Sequence, residues 1–149
     1  MKNKIDLIYP DLSYEIVGVL FRVSNELGYG YQEKYYENAI SKLFDQNKIS
    51  YKRQIKCDLK FNNEKIGIYY LDFLVADKIV LEIKVGKRFA KQAYDQIIAY
   101  LKATNKKLGI LALFNSQGVR FIRIVNLENK FELKETEIKL SNFRKLIKH

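Results

Sequence analysis

The hydrophobic repeat of this chain shortens from about four residues to two near residue 49, and this change constrains the fold more than any other feature. Before it, apolar side chains recur at helical spacing over residues 11–27 and 32–46. From Ile49 to Phe61 they alternate with mostly polar residues, as in a long half-exposed strand. The sequence therefore predicts two helices followed by a sheet.

The rest of the chain continues this mixture of periods. The predicted elements are strands over residues 66–75 and 78–85, a helix over 88–104, strands over 108–114 and 118–125, and a short helix over 141–148. The order α-α-β-β-β-α-β-β-α indicates the α/β class, with a mixed β-sheet flanked by helices. Since no linker or internal repeat interrupts the pattern, we expect a single domain over residues 1–149.

Basic side chains are in excess and unevenly distributed. The chain has 27 Lys and Arg against 17 Asp and Glu, a formal net charge of +10. Residues 84–107 carry seven basic side chains and one acid, Asp95. Such a concentration favours a polyanionic partner, with nucleic acid the first expectation. The alternative is that the charge serves solubility alone.

Metal-ligating residue types are scarce, and no targeting segment is evident. With one cysteine, Cys57, and one histidine, His149, the chain cannot form an internal disulfide or a cysteine-histidine zinc site. Any metal would need oxygen ligands, which favours Mg²⁺ or Mn²⁺. No apolar stretch is long enough to cross a membrane, and residues 1–10 lack the apolar centre of a signal peptide. We therefore expect a cytoplasmic protein with no membrane partner.

Two carboxylates lie within apolar strands. Asp72 lies among residues 69–75 and Glu82 among residues 79–85, where an unpaired charge is costly to bury. Glu82 and Lys84 are two residues apart on a strand and therefore share a face. The simplest explanation is a cross-strand ion pair on a partly exposed sheet. A metal site is the competing one.

The register of the hairpin decides between these explanations. A two-residue loop, Ala76-Asp77, places Asp72 opposite Leu81 on the wrong face, whereas a three-residue loop that includes Lys78 pairs Asp72 with Glu82. Two carboxylates facing each other repel unless a cation lies between them. The three-residue register therefore predicts a divalent metal.

These residues resemble a known family. An Asp on one strand, Glu82-Ile83-Lys84 on the next strand of a hairpin and then a helix resemble the PD-(D/E)XK nuclease superfamily, with Leu71 where its name has Pro. The segment Gly30–Tyr36 matches the Gly-x-x-Glu-x-x-Tyr signature of the GxxExxY branch. Gln96–Tyr100 matches the Gln-x-x-x-Tyr motif of the recombination-exonuclease branch. The resemblance spans about residues 11–125 and implies a restriction-endonuclease-like core.

The resemblance also implies an activity, hydrolysis of phosphodiester bonds in DNA, with RNA less expected. It implies Mg²⁺, replaceable by Mn²⁺, held by Asp72, Glu82, the carbonyl of Ile83 and Glu33. Lys84 would orient or deprotonate the attacking water. The remaining candidates are Gln96 and Tyr100 beside the site, and the nucleic-acid contacts Lys87, Arg88, Lys91 and Tyr36.

Purely structural roles stay open for several of these residues. Glu33 would suit the first turn of a helix through the helix dipole, and Tyr36 would suit a core. Gln96 and Tyr100 would also suit an exposed helix surface. For the whole chain, the alternatives are an inactive nucleic-acid-binding module acting with a partner, and a structural domain. If the chain is a nuclease, we expect its substrate specificity to come from a second copy or from a partner protein.

Overall fold

A six-stranded mixed sheet forms the centre of the molecule. The computed structural model describes residues 8–127 and 130–136. Its elements are α1 (Pro10–Leu27), α2 (Glu33–Gln46), β1 (Tyr51–Phe61), β2 (Glu64–Val75), β3 (Ile79–Val85), α3 (Lys91–Thr104), β4 (Leu108–Asn115), β5 (Gly118–Leu127) and β6 (Lys130–Thr136). The strands lie in chain order, with β3 and β4 parallel and all other neighbours antiparallel. The predicted α/β class and element order are confirmed as far as β5.

Helices cover both faces of this sheet because each presents an apolar stripe to it. Helices α1 and α2 pack on one face, together with the odd-numbered residues of β3, and α3 packs on the other. Between them β4 is buried along almost its whole length, as its apolar sequence predicts. Gly109 on β4 allows α3 to approach closely, since a side chain there would collide with Ile97. The two central strands are therefore rigidly held between layers of helix.

The β2–β3 hairpin has the three-residue loop. Val75 pairs with Ile79, and Ala76 and Asp77 adopt left-handed backbone angles, with φ of 51° and 58°. Regular pairing continues to Phe73 and Leu81. Of the two registers that the sequence allows, this is the one that places Asp72 across from Glu82.

The β1–β2 ladder is interrupted at Asp72. Arg53 pairs with Phe73 and Ile55 with Leu71, while Gln54 between them has a left-handed φ of 55°. We call this point the ladder break, at Gln54 and Asp72. Phe73 belongs to the core under α1 and α2, but Leu71, two residues away, belongs to the core under α3. The sequence predicts that side chains of β1 and β2 alternate strictly between the two faces of the sheet. At the ladder break this alternation is shifted by one residue.

Three further differences concern the ends of elements. Helix α3 begins at Lys91, three residues later than predicted, which leaves residues 86–90 as a loop. Strand β6 was not predicted, since it is short and largely polar. The predicted helix over residues 141–148 lies outside the described residues, and the single-domain assignment over 1–149 stays a prediction. No helix in the described part of the chain is long and apolar enough to span a membrane.

Candidate active site

Asp72 and Glu82 meet where β2 and β3 stop pairing regularly. The backbone N–H of Asp72 donates to Glu82 Oε1 at 3.1 Å, and the N–H of Ile83 donates to Asp72 Oδ2 at 2.6 Å. Each carboxylate thus accepts a backbone hydrogen bond from the opposite strand. The two acidic side chains therefore replace the backbone carbonyls that would accept these hydrogen bonds in a regular ladder.

The two carboxyl groups have too little positive charge nearby to balance them. Glu82 is 2% exposed and Asp72 is half-buried. Burial, followed by the hydrogen bond and charge of Glu82, raises the pKa of Asp72 to about 8. Burial also raises the pKa of Glu82, although Lys84 Nζ, 3.9 Å from Glu82 Oε2, acts to lower it. One half-exposed lysine therefore does not compensate the two carboxyl groups.

A third carboxyl group, Glu37 on α2, lies beside Asp72. It is 7% exposed and shares a hydrogen bond with Asp72. Burial, and then the charge and hydrogen bond of Asp72, raise the pKa of Glu37 to about 7. Gln54 Nε2 donates to its Oε1 at 3.2 Å, and Arg53 lies 3.7 Å from the same oxygen.

The sequence interpretation missed Glu37, although a signal for it exists. Glu37 precedes Ile40 and Phe44 by three and seven residues, so helical spacing places it in the apolar stripe of α2. An acid in such a stripe is as conspicuous as an acid in an apolar strand. Its proximity to Asp72 depends on the ladder break, which brings Asp72 and Gln54 to the side of the sheet where α2 packs.

Glu33 lies near this cluster but does not contact its two strand carboxylates. It is the first residue of α2, and its charge contributes to raising the pKa values of Glu37 and Glu82. Among the described residues, no hydrogen bond or ion pair joins Glu33 to Asp72 or Glu82. Its role as a metal ligand stays a prediction.

The proposed contact of Tyr36 with nucleic acid is corrected by the structure. Tyr36 is fully buried, and its ring stacks on that of Phe114 with centroids 4.5 Å apart. Its hydroxyl donates to the carbonyl of Gly28 at 2.7 Å, which ties the start of α2 to the end of α1. Because α2 presents this face to the sheet, Tyr36 belongs to the core.

Gln96 and Tyr100 line a groove beside the site and do not contact the carboxylates. This groove, which we call the α3 groove, lies between α3 and the outer part of the β1–β2 hairpin and has a volume of about 760 Å³. The hydroxyl of Tyr69 on β2 donates to the carbonyl of Gln96 at 3.0 Å. In the described part of the chain, no hydrogen bond joins Gln96 or Tyr100 to Asp72 or Glu82.

The predicted phosphate contacts are at the surface. Lys87 and Arg88 are exposed in the loop that leads from β3 to α3. Lys91, the first residue of α3, is also exposed but lies 2.8 Å from Asp95 Oδ2. All three follow Lys84 closely in the chain, and their contact with phosphate stays a prediction.

The chemistry of the donor set fits a hard divalent cation. Asp72 and Glu82 offer carboxylate oxygens close to each other, and burial, the main cause of their raised pKa values, opposes an ionisation that a bound cation would favour. No three His, Cys, Asp or Glu side chains in residues 8–127 and 130–136 form a ready-made metal cage. The fit is therefore to a two-carboxylate site completed by a backbone carbonyl and water. The carbonyl of Ile83 stays the predicted third ligand.

Comparison with known proteins decides the family. The model of the PD-(D/E)XK nuclease superfamily matches residues 10–124, which include the hairpin and both predicted motifs. The chain belongs to this superfamily. A search of curated proteins finds no match. A solved structure titled "Crystal structure of SSO0001" aligns with 93% of the chain at 12% identity and a TM-score of 0.43, and the chain spans 65% of that protein.

Proposed function

We propose that this PD-(D/E)XK superfamily member is a Mg²⁺-dependent nuclease that hydrolyses phosphodiester bonds of DNA. One observation carries the proposal: Asp72, Glu82 and Lys84 lie together where β2 and β3 separate, in a half-buried cluster short of positive charge. Members of the superfamily are usually nucleases, which supports the same conclusion. The Gly30–Tyr36 segment supports the finer assignment to the GxxExxY branch.

The carboxylates would hold the cation. Asp72 and Glu82 offer oxygen ligands on adjacent strands, with the carbonyl of Ile83 completing the set from the chain. When bound, Mg²⁺ supplies Lewis acidity toward a phosphate oxygen and a more acidic water, with Mn²⁺ able to replace it. Glu37 holds Asp72 in place through their hydrogen bond. Glu33 stands beside the cluster as a further acidic group.

Lys84 and the basic surface act on the substrate. Lys84, whose Nζ lies 3.9 Å from Glu82, orients the attacking water as an ammonium or accepts its proton as the neutral amine, and the positively charged form offsets negative charge in the transition state. Lys87, Arg88 and Lys91 contact phosphates next to the scissile bond, adding affinity without reading sequence. A second copy or a partner protein would supply specificity.

A cleavage assay with paired variants tests the proposal. Labelled linear, circular and branched DNA, and RNA, are incubated with the protein in Mg²⁺, in Mn²⁺ and in EDTA. We expect metal-dependent cleavage of DNA that Asp72→Asn and Lys84→Ala each abolish. Asp77→Asn, an exposed acid in the loop of the same hairpin, should cleave like the unmodified protein.

The other outcomes have clear meanings. Cleavage that survives Asp72→Asn and Lys84→Ala would contradict the assignment of the site. Tight DNA binding with no cleavage in either metal would instead favour a catalytically inactive nucleic-acid-binding module. A binding constant that does not change with salt would remove nucleic acid as the partner, since phosphate contacts release counterions.

A further inference from the structure

The α3 groove lies beside the candidate active site, along the outer hairpin. Tyr69 and Cys57 form part of its wall, and Tyr69 is three residues from Asp72 on β2, about 10 Å along a strand. Leu71, the neighbour of Asp72 on β2, packs in one cluster with Cys57 and Tyr69, which places this end of the groove near the site. A molecule lying in the groove therefore ends close to the site.

The lining of the groove combines an apolar wall with a basic rim. Leu59, Ala99 and Tyr100 contribute apolar surface, and Gln92 and Gln96 contribute amides. Its two acids are both in ion pairs, Asp58 with Lys65 at 3.3 Å and Asp95 with Lys91 at 2.8 Å.

Two lysines at the rim of the groove carry a positive charge that no nearby acid in the described residues balances. Lys56 and Lys60 line the groove, and neither has an ion-pair partner within the described ranges. The charge left over at the groove is therefore positive. An anionic chain with flat apolar faces complements this combination, because such faces stack on apolar and aromatic side chains while phosphates contact lysine.

The dimensions favour an unpaired strand over a duplex. The α3 wall runs from Gln92 to Thr104, about 18 Å at 1.5 Å per helical residue. That length matches about five stacked nucleotides at roughly 3.4 Å each, within the usual site size for single strands. The volume of about 760 Å³ is that of a small-molecule pocket, which is too small to take up a double helix.

We infer that the α3 groove binds a single-stranded segment of nucleic acid and leads it to Asp72 and Glu82. This inference rests on the proposed nuclease function and specifies its substrate, a single strand or the unpaired end of a duplex. Bases would stack on the wall of Leu59 and the half-buried Tyr69, and phosphates would contact Lys56 and Lys60. Gln96 would then help to hold the strand, whereas Tyr100 is 8% exposed and belongs mainly to the core.

Binding measured without cleavage tests the inference separately from activity. The probes are a fluorescent twelve-nucleotide oligothymidine and a blunt twenty-base-pair duplex, titrated in EDTA and followed by anisotropy. In Ala99→Trp the indole fills the groove at an exposed helical position, so we expect the dissociation constant for the single strand to rise about tenfold. The matched control Asn25→Trp, exposed on α1 across the sheet, should change it less than twofold.

A second pair of variants tests the charge and does not depend on fitting a large side chain. Lys56→Ala with Lys60→Ala should weaken single-strand binding about tenfold and flatten its dependence on salt. Lys42→Ala with Lys78→Ala, which removes the same charge from exposed positions outside the groove, should have a much smaller effect. Thermal unfolding by circular dichroism checks that each variant folds.

The outcomes separate the two proposals. If the groove variants lose the single strand while the unmodified protein cleaves no substrate, the groove assignment holds and the nuclease proposal fails. If DNA is cleaved but the groove variants bind and cleave single strands normally, the groove assignment is overturned. Equal losses in the groove variants and their controls would also overturn it, as would groove occupation by an apolar peptide that the oligonucleotide does not displace.

Discussion

The two ends of the β2–β3 hairpin differ sharply although the same two strands form both. Near the loop, the strands pair regularly through buried apolar residues, from Val75 with Ile79 to Phe73 with Leu81. One residue further, the carboxylates of Asp72 and Glu82 accept the backbone hydrogen bonds of the opposite strand. The comparison teaches that a reactive site needs no inserted loop. It forms where a buried ladder stops and acidic side chains take up the freed N–H groups.

The two ends should therefore respond in opposite ways to truncation. At the closed end, side chains stabilise the fold by packing. At the open end, burial and mutual repulsion oppose ionisation, as the raised pKa of Asp72 shows. Removing a carboxylate there should reduce metal binding without reducing stability.

The largest expected effect is at the closed end. Leu81→Ala removes a fully buried side chain and should lower the free energy of unfolding by about 2–5 kcal/mol, measured by urea denaturation. Val85→Ala, a partly exposed position at the end of the same strand, should cost less than about 1 kcal/mol. Equal losses at the two positions would refute the distinction.

Next in size is the loss of metal affinity at the open end. Glu82→Gln should weaken Mn²⁺ binding at least about a hundredfold in isothermal titration calorimetry, while the urea midpoint stays the same or rises. Glu64→Gln, an exposed acid at the start of β2, serves as the control and should bind Mn²⁺ normally. A lower urea midpoint for Glu82→Gln would mean that the carboxylate is structural.

Two acids of α2, Glu37 and Glu33, give a finer comparison. Glu37 is hydrogen-bonded to Asp72, whereas Glu33 influences the cluster only by its charge. Glu37→Gln should therefore weaken Mn²⁺ binding about tenfold, and Glu33→Gln less than about threefold. The reverse order would restore Glu33 as the helix ligand implied by the family resemblance.

The smallest effect is a pH dependence of the metal-free protein. The pKa values of Asp72, about 8, and Glu37, about 7, lie above those of unfolded carboxyl groups, so the folded chain binds more protons between about pH 4 and 8. Stability should fall as pH rises through this window, by a few degrees in melting temperature. Asp72→Asn should flatten the slope, and Mg²⁺ should raise the melting temperature most near pH 8. A melting temperature that rises with pH would contradict the assignment.

Local patterns were sufficient to predict much of this site. The period change near residue 49 and the apolar run of β4 predicted the layered mixed sheet, and alternation placed Glu82 and Lys84 on one face. The register had to stay open because loops of two and three residues are both common. The pairing of Val75 with Ile79 in the structure decides it.

The features that could not be predicted depend on tertiary structure. The ladder break at Gln54 shifts the alternation of β1 and β2, and a strict period of two cannot anticipate it. Tyr36 was misassigned because its motif suggests the site, while the side chain packs on Phe114, far away in the sequence. Strand β6 has too little apolar periodicity to be recognised and owes its formation to pairing with β5.

The ladder break also separates two regions of the molecule that differ in how readily they unfold locally. Between residues 54 and 71 only Cys57 and Leu71 are buried, whereas Phe61 and Ile66 are more than 60% exposed. Backbone amides of this outer hairpin should exchange with solvent deuterium long before those of β3 and β4, because little apolar burial opposes local opening. Asp72 thus joins an easily opened ribbon to a rigid sheet, while Glu82 stays on the rigid side. Fluctuations of the hairpin therefore move one carboxylate relative to the other.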